Sequence, residues 1–78
     1  MFAILDTVIL TVNVPDHHVL AGDIGTVVAI YNTPQLAYDI EFVNPDGTTR
    51  ALLTLSAEQV RRLSAADVLT TRQIPLAA

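Results

Sequence analysis

The sequence predicts a small all-β domain of five short strands. Turn-forming residues interrupt the chain at regular intervals up to Leu55, and the runs between them are rich in Val, Ile, Leu, Thr and Tyr. Regular turn signals between such runs are typical of a β-meander. The chain has 78 residues and a mass of 8.4 kDa, which is the size of a single domain.

Alternation of apolar and polar residues predicts the individual strands. In the clearest of them, Tyr38, Ile40 and Phe42 alternate with Asp39 and Glu41. The second strand is apolar on both faces, which is typical of a central strand covered on both sides. The five predicted strands are Thr7–Val12, Thr26–Tyr31, Ala37–Val43, Thr48–Leu55 and Val60–Leu63.

Two short segments predict how the later strands are connected. Asn44-Pro45-Asp46-Gly47 has turn-forming residues at each position and predicts a tight hairpin between the third and fourth strands. Ser56-Ala57-Glu58-Gln59 has the pattern of a capping box and predicts one helical turn before the last strand. The tail Ser64–Ala78 is compatible with a helix or a strand; we favour a strand and expect Leu76–Ala78 to fray.

The composition excludes several classes of protein. Four arginines, no lysine and eight acidic residues give a formal charge of −4, which disfavours binding to nucleic acid or an anionic membrane. The absence of cysteine excludes disulfides and thiolate zinc sites. No apolar stretch is long enough to span a bilayer, and the first residues lack the features of a secretory signal. These observations favour a cytoplasmic protein.

One segment resembles a known family signature. Gly22-Asp23-Ile24-Gly25-Thr26-Val27-Val28-Ala29-Ile30 is similar to the KOW-type pattern G-x-x-G-x-V-x-x-I. The resemblance implies a five-stranded SH3-like (KOW-like) barrel over residues 1–63, with residues 64–78 as a C-terminal extension on the barrel or on a partner. It also implies that Gly25 adopts a positive φ and that Val27 and Ile30 pack inside and beneath the barrel.

Over residues 3–63 the chain resembles a family of small uncharacterised bacterial proteins. The shared blocks are Leu5-Asp6-Thr7-Val8, Ala21-Gly22-Asp23-Ile24-Gly25-Thr26-Val27-Val28 and Tyr38-Asp39-Ile40-Glu41-Phe42. The family is known only as a domain of unknown function, so the resemblance implies a fold and no activity. Its genes often lie beside genes for nuclease-like or toxin-like proteins, which implies an antitoxin or immunity role.

The residues that could support catalysis or metal binding favour neither. Asp16-His17-His18 is a single loop cluster, and a metal site needs three or four ligands. Asp39 and Glu41 lie on one strand face that is expected to be solvated, whereas general acid–base catalysis needs a desolvated carboxyl. We therefore predict no enzymatic activity, no metal and no cofactor.

Protein binding is the function that the residue pattern favours. Ile9, Val27, Val43 and Leu52 lie on strand faces opposite the predicted core and are expected to form an exposed apolar patch. The acidic residues could complement a basic partner, such as a toxin encoded nearby, through the Asn13–Asp23 loop and the Asp39/Glu41 face. The predicted contact residues are Asp16, His17, His18, Asp39, Glu41, Ile9, Val27 and Leu52.

Four alternatives remain at this point. KOW-type barrels bind RNA, but Arg50, Arg61, Arg62 and Arg72 are the only basic residues besides the two histidines. The chain could also be a structural subunit of a larger enzyme. The tail could cover the apolar patch within one chain, or open strand edges could pair with a partner or in a homodimer.

Overall fold

The computed structural model describes residues 1–64, 66 and 67, and these contain five β-strands. The strands are β1 (Thr7–Leu10), β2 (Ile24–Tyr31), β3 (Ala37–Val43), β4 (Thr49–Ser56) and β5 (Val60–Arg62). A 3₁₀ helix, Pro15–His17, lies in the connection between β1 and β2. The predicted conformation of the tail beyond Asp67 lies outside the described residues.

All five strands belong to one antiparallel sheet, in the order β4-β3-β2-β1-β5. The predicted all-β class, the five strands and their antiparallel pairing are confirmed. The sheet is not closed, because β4 and β5 are its two ends and, in the described part of the chain, each pairs with a single neighbour. The described strands therefore form a barrel-like sheet that is open between β4 and β5.

β2 changes its partner part-way along its length. Ile24 to Thr26 pair with β1, whereas Thr26 to Tyr31 pair with β3. The register with β3 shifts between Val27 and Ala29, which is a β-bulge, and bulges bend the strand that carries them. The bend at β2 lets five short strands curve around one core.

The core lies on one side of this curved sheet. The predicted inward residues of β3 and β4 are buried, as are Val8 and Leu10 of β1, and Tyr38 is completely enclosed. Val12, also predicted to face inward, lies beyond the end of β1 and is only partly buried. The Tyr38 hydroxyl accepts a hydrogen bond from the Phe2 backbone N–H at 3.2 Å, and the two rings pack edge to face at 5.0 Å. The buried cluster consists of Val8, Leu10, Val19, Val27, Tyr38, Ile40, Phe42, Ala51, Leu53, Leu55 and Val60.

The β3–β4 hairpin forms where the sequence predicts it. Asn44 and Thr48 close the turn with a backbone hydrogen bond of 2.8 Å, and Gly47 has a φ of +88°. The Asp46 carboxylate accepts hydrogen bonds from the Thr48 hydroxyl and backbone N–H. These bonds favour the ionised form and hold the pKa of Asp46 below its ordinary value.

Two local expectations need correction. The segment before β5 is a single hydrogen-bonded turn and not a helix, although Gln59 does accept a hydrogen bond from the Ser56 backbone N–H, as in a capping box. The second strand is not covered on both sides, because Val28 is exposed while Val27 is fully buried.

Gly25 is required because a side chain at this position would not fit, and not because its backbone has a positive φ. The glycines with positive φ in the described residues are Gly22 and Gly47. A Cβ atom on Gly25 would lie 2.5 Å from Cγ2 of Ile40 and 3.0 Å from Cε1 of Phe42, and such contacts force neighbouring atoms to move. The side chains of β3 therefore lie directly over the backbone of β2 at this position.

Replacing Gly25 with alanine is expected to lower the free energy of unfolding by about 2–3 kcal/mol, because the added methyl group overpacks the core. The measurement is urea unfolding of Gly25→Ala alone and in an Ile40→Leu background. Ile40→Leu removes the branch at Cβ and relieves the closest contact, so Gly25→Ala should cost less there. An equal cost in both backgrounds would contradict the steric explanation.

Candidate functional site

Two carboxylates are held in fixed positions on the face of the sheet opposite the core. Asp39 accepts hydrogen bonds from the Tyr31 hydroxyl at 2.7 Å and from the Thr54 hydroxyl at 2.5 Å. Glu41 accepts a hydrogen bond from the Thr49 hydroxyl at 2.7 Å. Asp39 and Glu41 alternate with buried residues of β3, as the sequence predicts. Hydroxyl groups from both neighbouring strands thus orient this acidic pair.

Exposed apolar side chains lie beside the acidic pair. Leu52 is the direct cross-strand neighbour of Glu41 and is 57% exposed. Val43 follows on the same strand face and is 49% exposed. We call this surface the outer face and define it by Tyr31, Asp39, Glu41, Val43 and Leu52.

Two of the four residues predicted to form the exposed apolar patch are buried, so the prediction is wrong for them. Val27 is fully buried in the core opposite Ile40, which agrees with the inward position that the KOW resemblance implies. Ile9 lies on the face of β1 opposite Val8 and Leu10, but it is only 8% exposed. Neither side chain is available to a partner, so Leu52 and Val43 are the patch members on the outer face.

The Asp16-His17-His18 cluster lies apart from the sheet, in and after the 3₁₀ helix. All three side chains belong to exposed residues, and His18 has a left-handed backbone with a φ of 61°. The connection is anchored next to this cluster by Val19, whose side chain is completely buried. In the described residues, no group of three or more His, Asp or Glu side chains could hold a metal ion.

A largely buried ion pair joins this connection to β4. An Nη atom of Arg50 lies 2.7 Å from a carboxylate oxygen of Asp23, and the two side chains are only 8% and 11% exposed. The same Nη atom donates a hydrogen bond to the backbone carbonyl of His18. This pair was not visible in the sequence, since its members are 27 residues apart and no local pattern connects them.

Arg50→Met is expected to lower the free energy of unfolding by about 3 kcal/mol, because it removes the cation from a largely buried carboxylate. Arg62→Met is the matched control: the Arg62–Asp6 pair is 3.3 Å long and more exposed, so its loss should cost less than about 1 kcal/mol. Chemical denaturation of both variants gives the comparison. Equal losses of unfolding free energy in the two variants would show that the Arg50–Asp23 pair does not anchor the connection.

Every arginine in the described residues is paired with an acidic residue. Arg50 pairs with Asp23, Arg61 with Asp67 at 2.7 Å, and Arg62 with Asp6. The two hydrogen bonds from Arg61 help to hold the pKa of Asp67 far below its ordinary value. The acidic residues without an arginine partner, in the part of the chain that the structure describes, are Asp16, Asp39, Glu41, Asp46 and Glu58.

This pairing determines the sign of the exposed charge. The described arginines are neutralised locally, and the excess carboxylates remain on the surface. Nucleic-acid binding needs a basic groove with stacking aromatic residues, and the outer face has the opposite charge. In addition, no helix among the described residues is long and apolar enough to cross a membrane.

The Tyr31–Asp39 contact can be tested by titration. The hydrogen bond to Asp39, and then its negative charge, raise the pKa of Tyr31 above the ordinary value of 10.0. The contact therefore stabilises the fold below the unfolded-state pKa of tyrosine and is lost as the pH rises through the folded-state pKa. In Asp39→Asn, ultraviolet absorbance should report a lower pKa for Tyr31. An unchanged titration curve would contradict the contact.

Comparison with known proteins places the chain in a family. No curated protein and no solved structure matches it. The model of the family described as a domain of unknown function, DUF4926, matches residues 4–62, a range that contains all five strands and the outer face. The expected relationship to a family of unknown function is thereby confirmed. Because the match covers most of the chain, the protein belongs to the DUF4926 family.

Proposed function

We propose that this protein is a non-catalytic binding module whose outer face binds a basic segment of another protein. The observation that carries the proposal is the pair of oriented carboxylates, Asp39 and Glu41, next to exposed Leu52. Charged hydrogen bonds to Arg or Lys are about twice as strong as neutral ones. Protein-binding sites commonly combine apolar side chains at their centre with polar groups around them.

The hydroxyl groups that bind Asp39 and Glu41 also lower the entropic cost of binding a partner. Ordering a flexible side chain during association costs about 0.5–1.5 kcal/mol. Asp39 and Glu41 are already ordered by Tyr31, Thr54 and Thr49, so a basic partner meets carboxylates whose positions change little on binding. The excess of acidic over basic groups on the surface also accelerates encounter with a basic partner.

The chemistry of the outer face favours a partner that is itself a nucleic-acid-binding protein. Nuclease-like toxins have basic substrate grooves, and an acidic protein that covers such a groove blocks substrate access. We propose that the protein acts in the cytoplasm as an antitoxin or immunity protein of this kind. Asp16, His17 and His18 belong to exposed residues on the connection anchored by Arg50, and we propose them as a second contact region.

The test uses the product of the neighbouring gene and isothermal titration calorimetry with the full chain. Glu41→Gln should weaken binding by about 10- to 100-fold, since a hydrogen bond to a charged group contributes about 1.5–3 kcal/mol. Glu58→Gln removes the same charge from an exposed residue of the turn between β4 and β5, outside the five residues of the outer face, and should have little effect. Leu52→Ala should also weaken binding.

Four outcomes would contradict the proposal. One is the absence of any complex at micromolar concentration. Another is equal weakening by Glu41→Gln and Glu58→Gln, which would indicate a general charge effect. The third is salt-sensitive binding to RNA that is lost in Arg61→Ala and Arg62→Ala, which would favour the RNA-binding alternative. Copurification with a large enzyme would favour a structural subunit instead.

A further inference from the structure

We propose that Asp46, followed by Gly47, is a site of spontaneous isomerisation, and that the β3–β4 turn protects it through the side chain of Thr48. Isomerisation converts aspartate into isoaspartate, in which the backbone continues through the side-chain carboxyl group. The proposal does not depend on the proposed function, because the reaction needs only the chain itself and water.

The sequence offers this chemistry at one position. Asp46 is the one Asp, Glu, Asn or Gln residue of the chain that is followed by glycine. In the reaction, the backbone nitrogen of the next residue must approach the side-chain carboxyl carbon of the aspartate. Glycine permits this approach best, because it has no Cβ atom to obstruct it and its backbone is the least restricted. Isomerisation of the unfolded chain should therefore be fastest at Asp46.

The reaction consists of a ring closure and a ring opening. The nitrogen of Gly47 bonds to Cγ of Asp46 and loses its proton, while the carboxyl group loses its hydroxyl group. One water molecule leaves, and a cyclic succinimide forms. Water then adds to a carbonyl carbon of the ring and opens it. Addition at the former side-chain carbonyl restores aspartate, whereas addition at the backbone carbonyl gives isoaspartate, with one additional carbon in the backbone.

The carboxylate of Asp46 is exposed to water but is fixed in position. Its Oδ1 atom accepts hydrogen bonds from the Thr48 hydroxyl at 2.6 Å and from the Thr48 backbone N–H at 3.0 Å. These bonds hold the carboxylate against Thr48 and restrict the rotation that would bring Cγ to the nitrogen of Gly47. They also hold the pKa of Asp46 below its ordinary value, and an ionised carboxylate is a poor target for ring closure.

The attacking nitrogen is restrained as well. The Gly47 N–H donates a hydrogen bond of 2.9 Å to the Asn44 backbone carbonyl, so the proton that must leave is already bound. The side-chain amide of Asn44 donates to the Thr48 hydroxyl at 3.1 Å, which leaves that hydroxyl to donate to Asp46. The turn therefore restrains both reacting groups, and Thr48 connects the two restraints.

Isomerisation would alter the hairpin that carries the outer face. The turn fixes the register of the two strands in a hairpin, and an additional backbone carbon after Asp46 changes the geometry of the turn. Val43 is the outer-face residue next to this turn, and its partner on β4 is Thr49. Protection of Asp46 therefore preserves the register at this end of β3 and β4.

The test measures isoaspartate at position 46 by peptide mapping and mass spectrometry, after incubation of the full chain at mildly acidic pH. The folded wild-type protein should form it more slowly than the same protein unfolded in urea. Thr48→Val removes the hydroxyl but keeps the backbone N–H and the β-branched shape. The folded variant should form isoaspartate about 3- to 10-fold faster than folded wild type, as expected for the loss of one hydrogen bond.

Thr49→Val is the matched control. It removes the neighbouring hydroxyl, which binds Glu41 and not Asp46, and should leave the rate at position 46 unchanged. Equal acceleration by the two variants would overturn the proposal. So would equal rates in folded and unfolded wild type, or the absence of isoaspartate at position 46 in the unfolded chain. The wild-type comparison needs no substitution, so it decides the outcome even if Thr48→Val destabilises the hairpin.

Discussion

The fold depends on a close approach between β2 and the side chains of β3. At Gly25 the absence of a Cβ atom lets Ile40 and Phe42 lie directly over the β2 backbone. A flat sheet of five short strands would leave most of its core side exposed. The close contact at Gly25 and the bulge after Val27 curve the sheet instead, and the curvature encloses Tyr38 completely.

The described arginines bind acidic side chains, whereas the two carboxylates of β3 bind hydroxyl groups. Arg50 is largely buried and binds the β1–β2 connection, and Arg61 and Arg62 bind acidic residues close to the ends of the described chain. The carboxylates of β3 bind hydroxyl groups, which orient them without cancelling their charge. The same sheet therefore separates an apolar interior from an ordered acidic surface.

Local patterns in the sequence predicted most of the fold. Alternation located β3 and β4 and their inward residues, and the Asn44–Gly47 turn predicted the hairpin, since each of these features depends on residues close together in the chain. The prediction for Val27 failed because its strand is apolar throughout, so no alternation shows which side faces inward, and the bulge shifts the register there.

The remaining features depend on contacts between distant residues. Ile9 is on the expected face of β1, but its burial depends on the strands at either side, where Ile24 and Arg61 are its neighbours. The role of Gly25 depends on side chains of β3, and the Arg50–Asp23 pair depends on β4 reaching the β1–β2 connection. The acidic pair of the outer face was predicted; the hydroxyl groups that orient it were not, because they come from other strands.

The attachment of the β1–β2 connection has a consequence for substitutions at its exposed residues. Arg50 reaches the connection through the backbone carbonyl of His18 and the carboxylate of Asp23, and Val19 anchors it in the core. A backbone carbonyl is present whatever side chain the residue carries. Substitutions of Asp16 and His17 should therefore leave the attachment of the connection intact.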